Sequence, residues 1–146
     1  MSLFNSVSFA SLALPAGAAA VVTGSLMSVR LEEDEMDLVL KFQGNLLGAT
    51  TDVATLAFQV DGVAATALPS WGTTFLLADL QRAASIELRV TGLAKGEHKV
   101  ALLGADVNSG SVTIDGAAFV CTFSAERVSS AATLAHGVDS KVQGIF

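Results

Sequence analysis

The sequence predicts a single all-β domain, an antiparallel β-sandwich. Three observations carry that prediction. Six segments alternate apolar and polar residues with period two, Gly, Asn and Asp punctuate them at short intervals, and Asp61-Gly62 and Asp115-Gly116 each follow an apolar run. An Asp-Gly pair between apolar runs marks a tight hairpin, because a type I′ turn needs positive φ at both central residues. The 146 residues suit one domain. Folding at that size buries roughly 68–70% of the unfolded surface, enough for a core without covalent staples.

The N-terminal stretches 7–14 and 21–31 have strand composition, and Pro15-Ala16-Gly17 supplies a turn between them. Leu38, Leu40 and Phe42 alternate with Lys41 and Gln43, and Gly44-Asn45 reads as a break. Leu56, Phe58 and Val60 alternate with Thr55, Gln59 and Asp61, and Val63 follows the first Asp-Gly pair. Residues 73–84 fit either a short helix capped by Thr73 or Thr74 or a strand beginning at Phe75. Ile86, Leu88 and Val90, then His98, Val100 and Leu102, then Val112 and Ile114, then Phe119, Cys121 and Phe123 are each expected to face inward. Residues 125–146 lose the alternation and read as a strand end and a tail. The whole chain, 1–146, is expected to be one sandwich domain. Its first 15 residues or so and residues from about 129 to 146 are expected to reach toward partners.

Composition narrows the function classes. Hydrophobic residues make up 51% of the chain and charged residues only 15%, against about 25% in a typical domain. Small apolar surface is therefore expected, which favours burial against partners. A net charge of −6 with eight scattered Lys and Arg argues against nucleic acid, whose phosphates demand clustered cations. The apolar run 12–22 has no basic residue before it and is far shorter than the roughly 20 residues of a membrane span. No signal peptide, transmembrane segment or membrane partner is expected.

No constellation of side chains points to catalysis, so the chain is read as a non-enzyme. The single cysteine, Cys121, cannot form an intramolecular disulfide, and it reads as a buried thiol. Glu32, Glu33, Asp34, Glu35 and Asp37 lack the alternating spacing and central Gly of a calcium loop and read as a solvated charged loop. His98 and His136 are far apart in sequence. His98 falls on the apolar face of its strand and reads as a satisfied core or interface histidine. There is no Gly-x-Ser-x-Gly elbow and no Gly-rich phosphate loop. No cofactor and no metal site is expected.

Candidate contact residues are apolar instead. Trp71, after Pro69-Ser70 and before Gly72, reads as an anchor for a partner or as a platform for a sugar ring. Leu3 and Phe4 at the start, and Ile145 and Phe146 at the end, stand on small or polar tails. Burying such a side chain gains roughly 1.5–3 kcal/mol before ordering costs, so the tails are expected to dock on a neighbour.

The segment Gly92-Leu93-Ala94-Lys95-Gly96-Glu97-His98-Lys99-Val100 resembles a turn-plus-strand element of jelly-roll, TNF-like modules in structural proteins of tailed-phage virions. On its physical reading, Leu93 plugs the sheet end and Gly96 permits the tight turn. The resemblance covers about residues 84–124. It implies a jelly-roll-like sandwich on the virion surface, most simply a capsid decoration (cement) protein. It implies a homo-oligomer, expected to be a trimer, bound to the major capsid protein, and it brings no catalytic residues. The alternative is a carbohydrate-binding or adhesion module such as a fibre tip, with an enzyme as the remote third reading.

Overall fold

The computed structural model describes residues 4–33, 36–48, 53–65, 73–76, 81–107, 112–117 and 119–129. Its strands are β1 (Phe4–Ser8), β2 (Leu12–Ala13), β3 (Ala20–Val21), β4 (Met27–Leu31), β5 (Met36–Leu47), β6 (Val53–Val60), β7 (Val63–Ala65), β8 (Thr73–Leu76), β9 (Gln81–Val90), β10 (Gly96–Asp106), β11 (Thr113–Ile114) and β12 (Thr122–Ser129). Every pairing between these strands is antiparallel.

Several strands are halves of one interrupted run. β11 and β12 follow β5 in a single descending register, from Leu47 to Met36. β1 and β2 lie beside them in the same way. β3 and β4 share β10, and β7 and β8 share β6. With the halves joined, one sheet reads β1/β2, β11/β12, β5, β9 and the other β3/β4, β10, β6, β7/β8. In chain order these are runs one, eight, three, six and runs two, seven, four, five. That interleaving is the jelly-roll order of two packed Greek keys, and the predicted antiparallel sandwich is the fold.

The core lies between the sheets. Leu38, Leu40 and Phe42 of β5 and Phe123 of β12 face Leu56 and Phe58 of β6 and Val100 and Leu102 of β10, all buried. Phe58 and Phe123 stack across the interface with ring centroids 5.7 Å apart, a pair worth about 0.5–1.5 kcal/mol beyond its burial. From Val100 to Asp106, β10 is buried on both faces, so the alternation expected there ends.

The first Asp-Gly pair forms the expected hairpin turn: Asp61 has φ 53° and Gly62 φ 83°, between β6 and β7. The second does not. β11 and β12 are two parts of one run on β5, so the chain between Ile114 and Thr122 returns to the same neighbour, an excursion rather than a reversal. Gly116 is needed there for space, since a Cβ on it would sit 2.0 Å from the Phe9 carbonyl oxygen. Residues 73–76 and 81–84 are extended, which removes the helical alternative for them.

Two further expectations are corrected. Gly44-Asn45 does not end its strand; β5 continues to Leu47. Glycine stands there because a Cβ would lie 2.7 Å from Cys121 Sγ, and Gly within a strand marks a close approach. Asp37 does not belong to a solvated loop. It is buried on β5, and its Oδ2 accepts a hydrogen bond of 2.9 Å from Arg89 Nε. Alternation places both residues on the outer face of their sheet, where they meet diagonally across strands, Arg89 standing opposite Val39 in the register.

Candidate functional site

The excursion 115–121 creates the site. Its stem is fixed by main-chain bonds: Asp115 N donates to Asn45 O at 2.9 Å, and Phe9 N donates to Cys121 O at 2.9 Å. Asn45 N, facing the interruption, donates instead to Cys121 Sγ at 3.4 Å. The thiol thus replaces a missing ladder acceptor, and Cys121 is the buried structural cysteine the sequence predicts. The other sheet uses the same device. Where β3 and β4 are interrupted, Ser25 Oγ accepts from Leu102 N at 3.0 Å.

With Cys121 pinned inward, Phe119 and Val120 are pushed outward and stand exposed. They were expected to alternate, with Phe119 in the core. Seven residues separate Ile114 from Thr122 where only two separate Leu46 from Gln43, an odd excess of five, so period two does not hold across the excursion. Phe119 and Val120 form one wall of an open cleft of about 520 Å³, which is also lined by Gln43, Gly44, Asn45, Ala83, Ala84, Ser85 and Thr122. The small, exposed side chain of Ala83 keeps its floor low. None of its lining residues carries a charge.

Strand register arranges the polar groups. Thr122 pairs with Gln43, and Gln43 pairs with Ser85, so these three outer-face side chains form a line across β12, β5 and β9. Ser8 pairs with Thr122 and extends the line onto β1. The next outward rung is Ser6, Ser124, Lys41 and Glu87, in which Lys41 and Glu87 are cross-strand partners of opposite charge. The cleft side of the sheet is therefore neutral, hydroxyl- and amide-bearing, with one aromatic ring at its border. None of Gln43, Asn45, Ser85, Phe119 or Thr122 was singled out as a contact residue from sequence. The usable signal was Gly44 inside an otherwise regular strand.

The sequence-predicted candidates fall elsewhere. Phe4 lies on the edge strand β1 and is 53% exposed. Leu3, Trp71, Ile145 and Phe146 lie outside the described residues, as does His136. His98 is buried at the far end of the other sheet, with Nδ1 2.7 Å from Asp61 Oδ2 and Nε2 2.6 Å from Ala94 O. It is a satisfied histidine, as expected. Burial opposes its protonation, but the Ala94 carbonyl and the Asp61 carboxylate outweigh that and raise its pKa above the usual 6.5. Among the described residues, no three His, Cys, Asp or Glu side chains gather as metal ligands. No helix among them is long and apolar enough to cross a membrane.

The site and fold define a β-sandwich module with a neutral open cleft on one sheet. No protein-family profile and no curated protein matches the chain. Among solved structures it is similar to a family 35 carbohydrate-binding module from Clostridium thermocellum, at 13% identity and TM-score 0.36, over 80% of this chain and 90% of that one. It is also similar to a cycloisomaltooligosaccharide glucanotransferase of Paenibacillus sp. complexed with cycloisomaltoheptaose, at 16% identity and TM-score 0.32. That match covers 84% of this chain and only 16% of the enzyme. Likenesses at this level carry no argument about this chain.

Proposed function

We propose that this chain is a non-catalytic carbohydrate-binding or adhesion module whose ligand face is the outer surface of β5, β9 and β12. One observation carries the reading: the cleft beside residues 115–121 combines uncharged hydrogen-bonding side chains with an exposed aromatic ring. Gln43 and Asn45 offer both donors and acceptors, and Ser85 and Thr122 offer hydroxyls. Sugar hydroxyls need the same mixture. Phe119 offers a flat apolar surface for the C–H face of a sugar ring, gaining about 25 cal/mol per Å² of apolar area removed from water. An open, shallow, uncharged cleft suits binding better than bond cleavage, which needs converging acid and base groups.

A glycan array tests it, with the intact protein and a Phe119→Ala variant run side by side. Signal on neutral glycans that drops with the variant supports the reading. A blank array, or signal indifferent to Phe119, counts against it.

A second reading keeps the chain in a virion, as a decoration protein on the capsid surface, and one observation favours it. Phe4 is exposed on an edge strand, where another subunit can bury it. On that reading the chain self-associates, as a trimer, and contacts the major capsid protein through Leu3, Phe4, Trp71, Ile145 and Phe146. Phe4→Ser should then lower the sedimenting mass or abolish co-sedimentation with capsids. An unchanged mass and unchanged capsid binding would remove the reading.

A further inference from the structure

We infer that the cleft takes an uncharged linear oligosaccharide lying across the strands, along the line Ser8, Thr122, Gln43, Ser85, rather than a single sugar or an acidic glycan. The inference rests on the carbohydrate-binding reading and adds its ligand class, direction and length.

Direction comes from register. Thr122 pairs with both Ser8 and Gln43, and Gln43 pairs with Ser85, so the four side chains occupy one rung running edge to edge across the sheet. Along the strands the hydrogen-bonding surface is short. On one side of the rung stand Lys41 and Glu87, and on the other Asn45 stands opposite Ala83, with Val120 and Phe119 as the apolar wall. A chain laid parallel to the strands would meet charges in one direction and only one further polar side chain, Asn45, in the next rung of the other. A chain laid across them keeps to neutral partners throughout.

Length comes from strand spacing. Four strands about 4.8 Å apart span about 14 Å between the outer two, longer than one sugar ring and suited to a short oligosaccharide. Exposure agrees at both ends, since Ser8 and Ser85 are exposed. The restriction to uncharged ligands comes from the lining, which holds no cation to pair with a uronate and no anion to pair with an amino sugar. Outside that lining, Lys41 and Glu87 stand opposite one another in the register, so the charges of that rung sum to zero.

The test is titration calorimetry on the full chain, using cello-, xylo- and manno-oligosaccharides from two to six units, with tetragalacturonate as the charged comparator. Affinity for one neutral series should rise at least tenfold from the disaccharide to the tetrasaccharide, and tetragalacturonate should bind at least tenfold more weakly. Gln43→Ala and Ser85→Ala should each cost about fivefold to tenfold, the value of one hydrogen bond. Ser8→Ala should weaken the tetrasaccharide and leave the disaccharide unchanged. Neutral binding that is independent of length, or unaffected by the Gln43 and Ser85 changes, would overturn this inference and leave the carbohydrate-binding reading standing. Tight binding of tetragalacturonate would overturn it too. No binding by any neutral series would overturn both.

Discussion

The Nδ1 atom of His98 lies 2.7 Å from Oδ2 of Asp61, and this contact ties the β6–β7 turn to the start of β10. The other ring nitrogen meets the Ala94 carbonyl at 2.6 Å. The Ala94 carbonyl and the ionised Asp61 carboxylate both accept hydrogen bonds, so the doubly protonated ring satisfies both contacts. Asp61 also accepts from Lys99 N at 2.9 Å. Desolvation pushes the Asp61 pKa up, but the His98 hydrogen bond, the Lys99 amide and the His98 charge together bring it below the usual 3.8. Glu97, Lys99 and Arg30 extend from the opposite face of the sheet, and among the described residues the hydrogen-bond partners of the His98 ring are these two acceptors.

A pH dependence of stability follows. A histidine with a raised folded pKa stabilises fully below its unfolded value of 6.5 and loses that contribution as pH rises through the folded value. An aspartate with a lowered folded pKa contributes above its unfolded value of 3.8 and loses that as pH falls through the folded value. The pair is therefore strongest between about pH 4 and 6.5 and fades in the alkaline direction. Because Asp61 is 46% exposed, the whole effect should be about 1 kcal/mol or less. Thermal unfolding from pH 5 to 9 should show the melting temperature falling across neutrality, and His98→Gln should flatten that fall.

The two glycines that accommodate the excursion should differ in sensitivity. A Cβ at Gly44 meets the Cys121 side chain at 2.7 Å, whereas one at Gly116 meets the backbone oxygen of Phe9 at 2.0 Å. A side chain can shift and a paired backbone cannot. Gly44→Ala should cost about 1–3 kcal/mol, and Gly116→Ala should cost more, by denaturant unfolding. Cys121→Ala should restore part of the loss in Gly44→Ala, because it removes the sulfur that the new methyl meets.

Asp37 and Arg89 should behave as a coupled pair. Asp37 is 2% exposed and Arg89 41% exposed, with Arg89 also donating to Ser129 O at 2.7 Å. Arg89→Met leaves a buried carboxylate without its cation and should cost about 2 kcal/mol, discounted for the exposure of Arg89. The double variant Asp37→Asn with Arg89→Met should be more stable than Arg89→Met alone. A double-mutant cycle by urea unfolding measures the coupling.

Much of the fold was legible because burial imposes period two on half-buried strands. Leu38, Leu40, Phe42, Leu56, Phe58, Val60, Val100 and Leu102 all point where their spacing places them. Asp61-Gly62 was legible because its turn chemistry is local. The interrupted runs were not, because the interruptions between β11 and β12 and between β3 and β4 are closed by partners distant in sequence. Gly44 looks like a break until Cys121, 77 positions on, is seen packed against it, and Asp115-Gly116 looks like a hairpin until both flanking segments are seen on β5. The cleft was illegible for the same reason. Gln43, Ser85 and Thr122 are ordinary polar strand residues apart, and only register aligns them. Asp37 was misread because four acidic neighbours in sequence masked a partner, Arg89, lying 52 residues away.

The most direct measurement of ligand binding at the β5–β9–β12 face is an amide chemical-shift titration of the isotope-labelled chain with a neutral tetrasaccharide that binds it. The largest shifts should fall on Gln43, Asn45, Ser85, Phe119 and Thr122, with Ser8 following and His98 unmoved. Shifts confined to the opposite sheet, or to residues away from this cleft, would contradict binding at this face.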